Sequence, residues 1–475
     1  MRAMRSLLLV GAAALVPPQR MTQKATIRRA SEKSTLTEAG EYEAVAIQAE
    51  FPADLRGTLY RLGPGGALRR GQQRDPYGFC LGVTFGGDGS CVARARYVRT
   101  EAFLRDRRGM PEGSPLAERN VGKKLLYWAD RLFALTDGCK PYMVDPLSLG
   151  TQKKSELGGL LKEADDGFDE GVRCNGDGTK LCQAFFDRGL PFIGGDCIEW
   201  RDFDSDFRAS GVVAKLPLPK GVALKTWAPT PTGFVCVLSD NSVTILKRGN
   251  DAGNEVGRIA GLTHIINARD APGGAELDAV VDGTLVRITS SLATEPLSEH
   301  AVTEATPLGD DFLVNTAAGG LVLVRDGREA ASYAAPDRRA GAPTASGAYV
   351  LCLLHGADAT EVAALRAADL AEVARAPLPH ACGGGAGPFV AGVAPTLDEI
   401  RSAETLARLY ARKASEWNEV DGGFSGLGAW LCLAISAPRP CSRPKLGHAR
   451  REIHSTVSRE QHLMHTPRDP RLKGP

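Results

Sequence analysis

The chain has 475 residues, 43% of them hydrophobic, and a formal net charge of +2 from 58 basic and 56 acidic side chains. The near balance of charge offers no surplus to attract nucleic acid, and the hydrophobic share is enough for a sizeable core. The 11 cysteines contain no Cys-x-x-Cys pair and scatter along the chain, which argues against a zinc ribbon or a disulfide framework and reads as buried thiols.

Residues 1–5 are short and basic, and residues 6–16 (SLLLVGAAALV) are apolar. That is a secretory-type signal, too short to span a membrane. Residues 19–34 follow with Arg20, Lys24, Arg28, Arg29 and Lys33 against the single acid Glu32. Residues 1–34 therefore read as a targeting presequence. Two readings stay open: an ER-type signal plus transit segment leading to a plastid, or a plain secretory signal. No other segment reaches the ~18 apolar residues of a membrane-spanning helix.

Residues 40–395 read as one all-β domain. Turns rich in Gly, Asp and Asn recur, among them Asn175-Gly176-Asp177-Gly178, Asp282-Gly283 and Asp326-Gly327, and short apolar runs such as 233–238, 321–324 and 348–354 lie between such turns. Apolar runs bounded by such turns are strands joined by hairpins. So many short antiparallel strands must hide their edges, and a β-propeller is the common solution at this size.

Residues 396–417 differ. Thr396 and Glu399 form a capping-box pair, and Leu397, Ile400, Leu406, Leu409 and Tyr410 are expected near one face of an amphipathic helix. Residues 436–475 carry Pro438, Pro440 and Pro444 among basic residues and read as a disordered tail.

The eight histidines all lie at or beyond His264. A metal site drawing imidazoles from the first half of the chain is excluded by that count alone. The four tail histidines, His448, His454, His462 and His465, are too irregularly spaced for a metal motif. No Gly-x-Ser-x-Gly elbow or Walker loop is present.

Three stretches in order carry a family resemblance: residues 51–64 (FPADLRGTLYRLGP), 96–100 (RYVRT) and 132–146 (LFALTDGCKPYMVDP). They resemble the carotenoid cleavage oxygenases, also called the retinal pigment epithelial membrane protein family, and the likeness runs on to about residue 390. It implies a seven-bladed propeller capped by loops and helices over a central ferrous iron. It also implies cleavage of a conjugated double bond of a carotenoid or apocarotenoid by dioxygen. Ferrous iron accepts imidazole nitrogens while leaving positions open for dioxygen. The family supplies four histidines from inner strands, and carboxylates fix three of those rings through their other nitrogen.

Carried over residue by residue, the resemblance places Gly171, Lys225, His264 and Ala386 at the four ligand positions. Only His264 keeps the imidazole, in the pattern His-x-x-Asn-Ala. Asp137 and Glu304 fall at carboxylate positions, and Thr344 replaces the third. The acidic glycine motif near the start is lost at residues 77–80 (YGFC). Lys225 could fill the vacated metal position paired with Asp137, or be an exposed strand-end lysine. His355 and His380 are the other imidazoles that a shifted alignment could recruit.

Two functions follow as expectations. The resemblance implies an Fe(II)-dependent oxygenase acting on a carotenoid, apocarotenoid or similar lipid, with peripheral membrane contact to collect it. The alternative is a non-catalytic propeller that binds a carotenoid or other lipid. There is no signal for a protein partner, and no catalytic residue beyond the implied ligands can be named.

Overall fold

The structure, a computed structural model, describes residues 41–65, 77–107, 124–135, 140–157, 159–161, 171–174, 180–187, 195–204, 206, 208–357, 359–379 and 385–420. These all fall within one compact unit, 36–475. The presequence, the tail, Asp137 and His380 lie outside the described residues.

Seven antiparallel sheets form in chain order. They form the propeller that the strand-and-turn pattern predicts, with the seven blades that the resemblance implies. Blade I holds Tyr42–Ile47, Arg56–Pro64, Gly78–Gly86 and Cys91–Tyr97, and blade II runs from Lys124–Trp128 to Thr151–Lys154. Blade III begins at Arg173–Cys174, blade IV at Leu224–Pro229, blade V at Leu262–Ala271, blade VI at Val302–Leu308 and blade VII at Arg339–Ala340. In blades III to VI the first strand is a sheet edge, and these four edges pack successively against one another. They are the inner strands that surround the axis.

The hairpins follow from turn chemistry. Val281 pairs with Thr284 and Arg325 with Arg328, leaving two-residue loops. Asp282 and Gly283 take φ of 48° and 77°, and Asp326 and Gly327 take 50° and 69°. Aspartate and glycine tolerate this left-handed region, whose twist matches the flanking strands.

The core lies between blades. Strands with both faces covered read as unbroken apolar runs, such as Gly233–Leu238, which is buried throughout. Between blades III and IV, Trp200 stacks on Phe234 at 5.3 Å and meets Trp227 edge-on at 6.2 Å. Such aromatic pairs add specific geometry to a large buried area.

The ring closes by returning the end of the propeller to its start. Phe389–Ala391 pairs antiparallel with Arg56–Pro64. Ahead of it, the carbonyl of Ala386 accepts from Leu62 N at 3.3 Å and from Leu125 N at 3.2 Å, tying blade I to blade II. The chain here lies too close for side chains: a Cβ on Gly387 would sit 2.3 Å from the Tyr60 carbonyl oxygen. The buried Arg61 guanidinium locks the seam. It donates to Ala342 O at 3.0 Å and Thr344 Oγ1 at 2.7 Å, and also to the carbonyls of Tyr60 and Gly387.

Two helices are described, α1 (Glu101–Arg107) and α2 (Leu397–Val420). The capping box of α2 forms as expected: Glu399 N donates to Thr396 Oγ1 at 3.2 Å, and Thr396 N donates to Glu399 Oε2 at 2.8 Å. Its buried face differs from the expected one. Ile400 and Glu404 are fully buried against blade I, whereas Leu406 and Leu409 are exposed. At 3.6 residues per turn, Leu406 points roughly opposite to Leu397, so the expected stripe was two faces. Glu404 is a polar member of the docked face because it has partners: Ala44 N at 3.2 Å and Arg96 at 3.8 Å. No described helix is long and apolar enough to cross a membrane.

Candidate functional site at the propeller axis

The inner strands of blades IV, V and VI share one irregularity. Each slips register by one residue near its start: between Leu224 and Thr226, between Leu262 and His264, and between Val302 and Glu304. A bulge re-aims the side chains beside it and is a common device at sites. Repeated in three successive blades, it sets Lys225, Thr263 and Thr303 as the extra residues. Thr226, His264 and Glu304 then take one register position around the axis. The imidazole and the Glu304 candidate therefore occupy equivalent places on neighbouring blades, both exposed there. The vacated position at Lys225 is the bulged residue of blade IV, one step from the register position of His264.

His264 opens onto solvent at the axis while the surrounding blades withdraw it from bulk water. Its pKa is lowered to about 4 from 6.5, first by this desolvation and then by the charges of Arg173 and Lys124. At neutral pH it is an uncharged imidazole beside two cations.

Arg173 begins the inner strand of blade III, two residues after Gly171. Its Nε donates to Trp227 O at 3.0 Å and its Nη2 to Ile265 O at 3.2 Å. The guanidinium thus reaches across blade IV to the residue next to His264. Lys124 opens the inner strand of blade II and bridges in parallel to Ala386. Its charge acts on His264 and also on Cys174, the neighbour of Arg173. Cys174 corrects the expectation of buried thiols. Six other described cysteines are buried, but Cys174 is exposed, because it ends a two-residue strand at the axis rather than sitting between blades.

Lys225 lies elsewhere. It is exposed, and its Nζ meets Asn241 Oδ1 at 3.3 Å on a turn of its own blade. The cations beside His264 are Arg173 and Lys124, which the sequence reading did not single out. Arg173 stands two places after the vacated Gly171, at the start of the short strand Arg173–Cys174. Ala386 contributes its backbone to ring closure, and Thr344 accepts the hydrogen bond from Arg61. His355 ends a strand of blade VII with Nδ1 3.5 Å from Thr360 Oγ1.

Ferrous iron held by imidazoles needs several nitrogen donors fixed together. Among the described residues, the ring supplies one, with two cations whose charge opposes a metal ion. That donor set does not fit the implied iron. A separate group, Asp187, Cys197 and Glu199 on blade III, has metal-ligating atoms close together. The Lys215 ammonium already lies 3.1 Å from Glu199 and 3.6 Å from Asp187, so the group is compensated by an ion pair.

A seven-bladed propeller with a polar cluster on its bulged inner strands defines the class. The family described as retinal pigment epithelial membrane protein matches residues 33–170. The apocarotenoid-15,15'-oxygenase of Synechocystis is 31% identical over 146 residues, covering 26% of this chain and 30% of that protein. The resveratrol cleavage oxygenase 1 of Aspergillus fumigatus is 26% identical over 174 residues, 30% of this chain and 34% of that one. These matches span about a third of each curated relative. The cobalt-substituted Synechocystis apocarotenoid oxygenase superposes with a TM-score of 0.64 at 19% identity, covering 75% of this chain and 97% of that structure. Residues 33–170 are thus similar to that family, and the propeller as a whole shares the fold of the apocarotenoid oxygenase structures.

Proposed function

We propose that this chain binds a carotenoid, apocarotenoid or similar lipid at the propeller axis and does not cleave it through ferrous iron. The observation that carries this reading is the composition of the axial cluster: the uncharged His264 flanked by Arg173 and Lys124, in a ring where the expected ligand places are Gly171, Lys225 and Ala386. Affinity for a transition metal follows donor number and geometry, and one imidazole beside two cations is a poor donor set. The ligand class comes from the relatives, whose names describe action on apocarotenoids, carotenoids and resveratrol.

The iron-dependent oxygenase is the second reading. It is favoured by His264 standing in the family's His-x-x-Asn-Ala pattern. One experiment separates the two. The purified full chain, supplied with ferrous iron and dioxygen, is titrated with an apocarotenal while tryptophan quenching and aldehyde products are both followed. Saturable quenching without product is expected. Product that depends on His264 would overturn the proposal in favour of the oxygenase, and neither quenching nor product would overturn both.

A further inference from the structure

We infer that blade III carries a redox crosslink site, in which the Cys197 thiol, once converted by a peroxide to a sulfenic acid, condenses with the Lys215 amine to a sulfenamide. The site lies on the outer strands of the blade and is independent of what the axis binds.

Strand register brings the two groups together. Blade III runs in the order Ala209–Pro217, Cys197–Phe203, Leu181–Asp187, Arg173–Cys174, so the three strands concerned lie outside the inner one. Asp187 pairs with Cys197, and Glu199 pairs with Lys215. Directly paired residues share a face, and so do residues two apart on one strand. Cys197, Asp187, Glu199 and Lys215 therefore stand on one face, with Lys215 diagonal to Cys197, a separation that a long side chain spans. The contacts follow that register. One oxygen, Asp187 Oδ2, accepts from Cys197 Sγ at 3.5 Å and lies 3.6 Å from Lys215 Nζ. Lys215 Nζ also donates to Glu199 Oε1 at 3.1 Å. Thiol and ammonium thus meet over a single carboxylate oxygen.

The surroundings favour a bond between side chains over a bound ion. Glu199 also accepts from Arg201 Nη2 at 3.1 Å, so two carboxylates face two cations. What the cluster adds to that balance is a thiol beside an amine. Cys197 is buried, but Asp187 is exposed and Lys215 half-exposed, which opens the cluster to a small oxidant. Burial pushes the thiol up and the Lys215 ammonium pulls it back, so the first step quickens as pH rises.

In that step the thiol proton passes to Asp187, the sulfur attacks one peroxide oxygen, the O–O bond breaks and the other oxygen leaves as water. Sulfur is oxidised by two electrons and the peroxide is reduced. Lys215, its ammonium proton passed to solvent, then attacks the sulfur. The S–N bond forms, the S–O bond breaks and a second water leaves, with no further oxidant. Sulfenic acids condense with nitrogen in this way. The product ties Cys197–Phe203 to Ala209–Pro217 at the open end of their hairpin, and excess thiol reverses it.

The test treats the folded full chain with hydrogen peroxide and maps it by mass spectrometry, beside Lys215→Arg and Cys197→Ser. A linked Cys197–Lys215 peptide pair is expected, two hydrogens lighter than the free peptides together, more abundant as pH rises and released by dithiothreitol. K215R keeps a cation beside Asp187 and Glu199 but removes the amine, so its Cys197 should be trapped by dimedone as the sulfenic acid, with no link. C197S should leave Lys215 unlinked. Cys197 carried to the sulfinic acid with Lys215 free would overturn the proposal. So would an unmodified Cys197 under peroxide that oxidises the exposed Cys174, or an equal yield of the link from the denatured chain.

Discussion

The ring-closure seam and the axial cluster lie on the same propeller and depend on opposite kinds of residue. At the seam, Arg61, Gly387 and the paired strands Arg56–Pro64 and Phe389–Ala391 hold the circle shut through backbone hydrogen bonds and close approach. At the axis, side chains on bulged strand starts decide what the protein can hold. Closure tolerates little change, since each group there has a fixed partner. The axial side chains His264 and Glu304 project from the exposed starts of their strands, whereas Arg173 also ties blade III to blades IV and V. A fold can therefore host different sites.

The comparison predicts large effects at the seam. Arg61→Ala would strand the acceptors on Tyr60, Ala342, Thr344 and Gly387 in a buried place, costing on the order of 3 kcal/mol or more. Denaturant titration would show it as a lowered midpoint, and an unchanged midpoint would mean that the seam does not depend on this guanidinium. Gly387→Val forces a side chain onto the Tyr60 carbonyl and should cost roughly 1–3 kcal/mol by the same measurement. Away from both regions, Thr396→Ala removes the cap of α2 at a cost of about 1 kcal/mol. Hydrogen exchange in the first turn of α2 would report it, with the blades unaffected.

The smallest effect is expected at the axis. The folded-state pKa of His264 lies below its ordinary value, so the unfolded chain binds the proton first on acidification. Stability contributed by the neutral ring is complete above about 6.5 and declines as pH falls from there toward about 4. Imidazole NMR should find His264 titrating near the lower value, with Arg173→Gln moving it upward. Titration near 6.5 in the unsubstituted protein would show that neither burial nor the two cations act on the ring as described.

Much of the framework was legible in the sequence. Asp282-Gly283 and Asp326-Gly327 announce hairpins because few residue pairs accept positive φ, and the runs at 233–238 and 321–324 mark buried strands. Thr396 and Glu399 mark a helix start through chemistry confined to four residues. That Gly171, Lys225 and Ala386 stand at ligand places is what the resemblance implies, while the want of histidine before residue 264 follows from counting. Arg173 and Lys124 could not be read so directly. Their meeting beside His264 depends on three blades closing in space, and the one-residue bulges shift which side chain faces the axis. Of the two expectations for Lys225, the exposed strand-end lysine is the one found, at the bulge of blade IV. The face of α2 was misjudged because Glu404, an acid, belongs to the buried side by virtue of Ala44 and Arg96.

Under the proposed lipid-binding reading, the axis of this propeller does not hold ferrous iron. The direct measurement is the metal-to-protein ratio of the folded full chain after anaerobic incubation with excess ferrous iron and removal of the unbound metal. The predicted result is a ratio far below one iron per chain. One tightly held iron per chain, lost on His264→Ala, would contradict it.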